Sequence, residues 1–278
     1  MGDRDFRLEV FKNASLCRNF EEVVFSKIQD KTINFPVYLS AGQEYVSSSV
    51  YTFIKSLGIL PNTFIQHRGH SYYINSGAPI EGLIDELLGR KTGCSGGMGG
   101  SASIQSITHN IFGHDGLMGS QVPIAVGHCY QTRQPTIAVM GDASAEEDYV
   151  LGAMGWASTK KLPILFLVED NNLSILTEKR VRRNWEMADV AKAFKMPGLD
   201  CDDDPLEIQK ALKGVFKTPM LLNVQTTRKY WHSGAGKDGD YFDRYEREMD
   251  ILGREAIEID RISYQNIKNL WEKQLGKQ

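Results

Sequence analysis

The sequence predicts an α/β protein built on a parallel sheet with helices on both faces. Three observations predict it. Residues 136–140 (TIAVM) read as a buried strand, 145–161 as a helix and 162–168 as a second buried strand. A strand, a helix and a strand in that span form a βαβ unit, which requires parallel pairing and a right-handed crossover. A further helix-then-strand step follows at 205–216 and 220–226.

Taken in chain order, the first third reads helical. Residues 6–27 carry apolar side chains at mixed spacings of three and four with charges between them. A second helix is predicted over 43–57, closing at Gly58 as its C′ residue. A third begins at Pro79-Ile80-Glu81, with Pro79 at N1 and Leu83, Ile84, Leu87 and Leu88 as its apolar face. Six glycines then fall within 89–103 (GRKTGCSGGMGGSAS), too many for a regular element. Apolar periodic segments flank the block, so it is predicted to be an ordered loop where backbone approaches a ligand or partner, not a linker. Residues 200–204 read as an acidic, solvated turn ending in Asp204 as the N-cap before Pro205. Residues 230–240 read as a loop and 261–274 as an amphipathic helix. Residues 1–278 are expected to form a single domain, with a helical part at about 1–60 and a closing loop and helices at about 227–278.

Composition excludes several function classes. The 278 residues carry 32 Lys plus Arg against 35 Asp plus Glu, a formal net charge of −3. A sequence-independent nucleic-acid binder normally needs a basic excess. Charged residues at 24% with aromatics at 10% exclude a disordered tail protein. Cys17, Cys94, Cys129 and Cys201 form no CxxC, so neither a zinc site nor a disulfide framework is indicated, and a reducing compartment is expected. The start MGDRDFRLEVF is charged throughout, unlike a signal segment, and Phe6 breaks the myristoylation pattern. The longest clean apolar run, 162–168, is too short for a bilayer. The expectation is a cytoplasmic protein with no membrane or nucleic-acid partner.

Ligands of α/β sheets bind at the carboxyl ends of strands. One strand here ends in Gly141-Asp142-Ala143-Ser144 and the next in Glu169-Asp170-Asn171-Asn172. Gly141 permits a tight exit, and Ala143 and Ser144 are predicted to start a helix whose free N–H groups suit a phosphate. Asp142 and an Asn from the neighbouring strand supply two hard oxygen ligands, the kind of set Mg²⁺ prefers beside substrate phosphates.

These residues resemble the thiamine diphosphate motif, and the chain resembles the α subunit of the E1 component of 2-oxo acid dehydrogenase complexes of the pyruvate, acetoin or branched-chain type. The resemblance runs in order through Gly42-Gln43-Glu44 and His67-Arg68-Gly69-His70. It continues through the block from Gly89-Arg90-Lys91 to Gly99-Gly100-Ser101, then Gly116-Leu117-Met118-Gly119-Ser120-Gln121-Val122-Pro123. The GDA…NN motif follows, with Lys161-Leu162-Pro163 inside it, and Gln225-Thr226 leads to His232-Ser233.

The resemblance implies that Asp142 and Asn171 bind Mg²⁺ through side chains and Leu173 through its carbonyl. Gly141, Ala143 and Ser144 would lie at the diphosphate of thiamine diphosphate, with Arg68 reaching it and His67 standing where the family commonly has Tyr. Gly116 and Met118 would approach the aminopyrimidine ring by backbone. His232, with Ser233 beside it, lies in the loop that closes over the thiazolium and helps position or protonate bound groups. The implied activity is decarboxylation of a 2-oxo acid with transfer of the acyl or aldehyde unit to an acceptor such as a lipoyl-bearing E2. The ring-activating glutamate belongs to a β subunit in this family, so an α2β2 heterotetramer inactive without β is expected. Three positions differ from the family: Ala143 replaces a usual Gly, Ser103 a histidine, and Tyr230 one of a histidine pair. These differences leave open carboligation to an aldehyde acceptor. The GD…N spacing also suits the diphosphate-binding half of a split transketolase, or a non-catalytic binding protein on the same fold.

Overall fold

The computed structural model describes residues 2–277 other than 115, 235, 239 and 240, so three positions of the 230–240 loop lie outside the described residues. Helices α1 (Asp3–Gln29) and α2 (Glu44–Ser56) lead into a three-residue strand β1 (Asn62–Phe64), then α3 (His70–Ser76), α4 (Ile80–Leu87) and β2 (Ile111–Phe112). Helix α5 (Gln121–Thr132), β3 (Thr136–Gly141), α6 (Asp148–Thr159) and β4 (Ile164–Asp170) make the central βαβ. An arm follows, with a hairpin of β5 (Leu173–Ser174) and β6 (Thr177–Glu178) and a short α7 (Lys179–Arg182). The chain closes with α8 (Met187–Ala193), β7 (Gly198–Asp202), α9 (Pro205–Ala211), β8 (Met220–Gln225), α10 (Arg244–Leu252) and α11 (Arg254–Leu275).

Six strands pair in the order β2-β1-β3-β4-β8-β7, every pair parallel. The two-residue period of a strand explains how one sheet makes two cores. Ile137, Val139, Leu165 and Leu167 face a core shared with α1 to α4. Their neighbours Ala138, Met140, Phe166 and Val168 face a second core shared with α5, α6 and α8. Helices therefore cover both faces, as the sequence predicts. A third cluster joins the start of α1 to α10 and α11.

The strand order also fixes where a crevice opens. From β1 the chain crosses to β2 on one side, and from β3 it crosses to β4 on the other. The carboxyl ends of β1 and β3 therefore flank a topological switch point, where α/β sheets bind ligands.

The glycine block is ordered around a carboxylate of the chain itself. Glu86, fully buried, accepts through Oε2 from the N–H groups of Ser95 (2.7 Å) and Gly97 (2.9 Å), and through Oε1 from Gly99 (2.7 Å) and Gly100 (3.1 Å). Gly97 sits at φ +76°, and a Cβ there would lie 2.6 Å from the Arg90 carbonyl oxygen, so only glycine permits the wrap.

Several expectations are corrected. The helix read at 145–161 starts at Asp148, because Ser144–Glu146 form a single 3₁₀ turn and Glu147 is extended at φ −65°, ψ 140°. Ser144 Oγ accepts from the Gly141 N–H and donates to the Gly141 carbonyl, both at 3.0 Å, a local bond that competes with helix. Ala143 and Ser144 thus head that turn and do not begin an α-helix. The acidic stretch at 200–204 is no solvated turn. Asp200, Cys201 and Asp202 belong to edge strand β7, where pairing with β8 overrides the poor strand propensity of Asp. Asp203 is buried against Arg244 Nε at 2.8 Å, while Asp204 does cap α9 by accepting from the Leu206 N–H at 2.9 Å. The helix read at 205–216 ends at Ala211, Pro79 is the N-cap of α4 and not N1, and the tail helix extends well beyond 261–274. Among the described residues no helix is long and apolar enough to cross a membrane.

Candidate functional site

A cavity of about 330 Å³ opens at the switch point. Gln66, His67 and Arg68 enter it from the end of β1, and Gly141, Asp142, Ala143 and Ser144 from the end of β3. Asn171 and Leu173 arrive from the end of β4, Arg228 and His232 from beyond β8, and Met118 from the segment before α5. Nearly every residue singled out in the sequence thus meets in one place. Gly116 and Ser233 do not line the cavity; Gly116 is exposed, at φ +102°.

The oxygen donors sit side by side because β3 and β4 are in register, Gly141 opposite Glu169. The Asp142 carboxylate is buried, and burial together with nearby Asp170 holds its pKa above the ordinary range. Arg182 Nη2 is hydrogen-bonded to it. Asn171 is oriented from both ends: its Nδ2 donates to Gln43 Oε1 at 2.9 Å, and its Oδ1 accepts from the Leu173 N–H at 3.1 Å. The latter bond is an Asx turn, which leaves one lone pair on Oδ1. Ala143 has φ −75°, so its methyl group fits without backbone strain.

Positive charge faces these oxygens. Arg68 is buried and donates to the carbonyls of Leu39 (2.7 Å) and His232 (3.2 Å). Burial and neighbouring Arg228 push its pKa down to about 10. Arg228 pairs with Asp238 and donates to the Ile175 carbonyl at 3.1 Å, tying the 230–240 loop to the β5–β6 arm. Burial and Arg68 press the pKa of His67 down to about 2 and that of His232 to about 4, so both rings are neutral at physiological pH. Both ring nitrogens of His67 are buried without a hydrogen-bond partner, as is Nε of Arg182. Two buried arginines, Arg68 and Arg228, line the cavity and can meet an anionic group there.

Sequence reasoning missed Gln66, Arg182, Arg228 and Glu169. The last had a visible signal, an acid closing an apolar strand. Glu169 is buried and accepts from Gln66 Nε2 and from the Tyr72 hydroxyl at 3.0 Å, and burial pushes its pKa up to about 7. A carboxyl whose folded pKa exceeds its unfolded value binds more protons when folded. Its favourable contribution is complete below the unfolded pKa of about 4.3, declines as pH rises to about 7 and is then gone. Glu169→Gln should therefore flatten the pH dependence of stability between those limits. Urea midpoints at pH 5 and pH 8 that differ equally in both proteins would contradict this.

A family model for the dehydrogenase E1 component matches residues 12–261. The chain belongs to that family. Its curated relatives include the pyruvate dehydrogenase E1 component subunit alpha of Porphyra purpurea, 31% identical over 262 residues that span 87% of this chain and 75% of the relative. The same subunit of Rickettsia felis is 30% identical over 241 residues, 81% of this chain and 72% of the relative. The chloroplastic subunit alpha-3 of rice (Oryza sativa subsp. japonica) is 29% identical over 277 residues, 91% of this chain and 64% of the relative.

The E1 family implies thiamine diphosphate, and the residues present fit it. The neutral His67 ring, with one N–H to donate, and the two arginines suit a diphosphate, while Asp142 and Asn171 are hard oxygen donors of the kind a divalent cation takes.

Proposed function

We propose that this chain is the α subunit of a heteromeric E1 enzyme that uses thiamine diphosphate and Mg²⁺ to decarboxylate a 2-oxo acid and pass the acyl or aldehyde unit to an acceptor such as a lipoyl-bearing E2. The observation that carries this reading is the meeting of Asp142, Asn171 and Leu173 with Arg68 and Arg228 in one cavity.

Asp142, Asn171 and the Leu173 carbonyl would hold Mg²⁺, and Gly141, Ala143, Ser144, His67, Arg68 and Arg228 would hold the diphosphate. The bound cofactor supplies the carbon nucleophile and the electron sink for decarboxylation. The chain's own contribution is electrostatic and positional. Arg68 and Arg228 would neutralise the diphosphate, and Met118, which lines the cavity as Gly116 does not, would approach the ring by backbone. Neutral His232, beside Ser233, can donate or accept one proton at the cavity mouth. Residues 1–278 then act as one diphosphate-binding unit.

A β subunit would complete the site in an α2β2 heterotetramer. Supporting this, Leu117, Met118, Ile175 and Leu176 beside the cavity are exposed, Leu176 at 76%. Such a rim suits a second chain. The four free cysteines suit a reducing, cytoplasmic setting.

A second reading, carboligation to an aldehyde, rests on Tyr230. Its ring is buried on Phe25 and its hydroxyl donates to Glu22 Oε2 at 2.6 Å, so the family's second loop histidine is replaced by a structural side chain. The purified chain alone is expected not to decarboxylate pyruvate, and addition of the co-purifying β-type chain should confer the activity. Turnover by the chain alone at about 1 per second or more would refute the subunit reading. Acyl-lipoyl product then separates dehydrogenation from carboligation.

A further inference from the structure

A hydrogen-bonded chain of buried side chains stands behind the cavity. Glu21 of α1, His70 at the start of α3 and Ser101 at the end of the glycine block are all buried, and none of them lines the cavity. Glu21 Oε1 accepts from the Ser40 N–H at 2.9 Å and from the Ser40 hydroxyl at 2.6 Å. His70 Nδ1 lies 3.1 Å from Glu21 Oε1 and 3.2 Å from Oε2, and His70 Nε2 lies 2.9 Å from Ser101 Oγ. Ser101 Oγ also accepts from the Tyr38 N–H at 2.9 Å. The Ser101 hydroxyl has one proton to donate, and His70 Nε2 is the one acceptor it meets among the described residues. The ring proton is therefore assigned to Nδ1, facing Glu21, with Nε2 bare.

The segment this chain of bonds grips, residues 37–41, touches groups that line the cavity. The Leu39 carbonyl accepts from Arg68 at 2.7 Å. The Tyr38 ring meets His67 and His232 edge-on, at 4.9 Å and 5.4 Å between ring centroids. The Val37 carbonyl accepts from the Gly234 N–H at 2.9 Å and the Ala41 carbonyl from the Lys229 N–H at 3.0 Å, so the loop carrying His232 hangs on the same segment.

We propose that Glu21 is a positioning residue for the cavity: by holding Ser40 and fixing the His70 tautomer it sets segment 37–41, and with it the placement of Arg68, His67 and His232. The inference rests on reading the cavity as a diphosphate site. Glu21→Gln isolates the effect because it is nearly isosteric. Its Oε1 keeps both Ser40 bonds, which places the amide NH₂ against His70 Nδ1. Two donors then face each other, and the ring proton moves to Nε2. The new Nε2–H points at Ser101 Oγ, which already accepts from Tyr38, and the buried Ser101 hydroxyl loses its acceptor. Donation between His70 and Ser101 reverses with almost no change of shape.

The test uses the full chain labelled with ¹⁵N at histidine. The His70 resonances are expected to show a protonated Nδ1 and a bare Nε2 in the unaltered chain, and the reverse in Glu21→Gln. In calorimetric titration with inorganic pyrophosphate and Mg²⁺, Glu21→Gln should bind about tenfold more weakly, the equivalent of one misaligned hydrogen bond to a charged group. Ser101→Ala should weaken pyrophosphate binding to a similar extent while the ring proton stays on Nδ1, so the test holds even where Glu21→Gln fails to fold. Thermal melts of the same samples establish that each variant is folded. An unchanged tautomer in folded Glu21→Gln, or unchanged pyrophosphate affinity in either variant while Arg68→Gln still weakens it, overturns the positioning role and leaves the diphosphate site standing. Pyrophosphate binding that is absent, or indifferent to Arg68→Gln, overturns the reading of the cavity and the positioning role with it.

Discussion

Asp142→Ala is expected to abolish Mg²⁺-dependent retention of thiamine diphosphate. Among the three oxygen donors at the switch point, Asp142 alone brings a charge; Asn171 and the Leu173 carbonyl are neutral. A divalent cation in a buried pocket lined by Arg68 and Arg228 depends on that charge, because both arginines repel it. The loss should reach roughly a hundredfold or more, beyond what altering a supporting residue around a metal costs. Calorimetric titration of thiamine diphosphate with Mg²⁺, on the chain together with its partner, measures it directly. Equal affinity in the variant would refute the assignment. A thermal melt on the same sample separates lost binding from lost fold.

Glu86→Ala should produce the largest loss of stability. The substitution strips the acceptor from four N–H groups of the glycine block at once, inside a region where Glu86 itself has no exposure. A fully buried unsatisfied donor costs about 1–3 kcal/mol; these four N–H groups are only partly buried and the loop can fray, so the total is expected at roughly 4 kcal/mol. That is a large fraction of a typical domain stability of about 5–15 kcal/mol. Glu86→Gln should fall between, because its amide keeps one acceptor oxygen and turns an NH₂ toward two donors. Urea unfolding gives the ranking, and hydrogen exchange at 95–100 reports the local release. A change below about 0.5 kcal/mol in Glu86→Ala would show that the cage does not hold the block. The effect should reach the cavity. Ser101, which follows the cage, bonds the Tyr38 N–H and His70 Nε2, both at 2.9 Å, and Tyr38 meets His67 edge-on at 4.9 Å between ring centroids.

How much was readable in the sequence depended on how local the signal was. Strands β3 and β4 were legible because both faces of a central parallel strand are buried, leaving uninterrupted apolar runs. The Asp142 and Asn171 pair was legible for the same reason, as polar residues at matching ends of those runs. Strand β1 was not. Asn62–Phe64 is three residues long and becomes a strand by pairing with β2 and β3, partners far along the chain. The start of α6 was misplaced because Ser144 bonds back to Gly141, which no helix periodicity reveals. Strand β7 was hidden by its aspartates, since only its seat beside β8 makes it extended. The glycine block announced an unusual backbone but not what it wraps, because Glu86 belongs to α4 and reads as an ordinary helix residue.

The sequence by itself determined the α/β class, the family resemblance and the oxygen donors at the ends of two strands. Each is written in short local runs, whether apolar strands, their polar ends or motifs met in order, where spacing controls which side chains share a face. The family resemblance already implied Arg68; only the tertiary structure decided that Arg228 joins it through the segment beyond β8 and Arg182 through an arm folded back onto Asp142. Charge juxtaposition depends on strand order and long-range pairing, and separation along the chain carries no information about either.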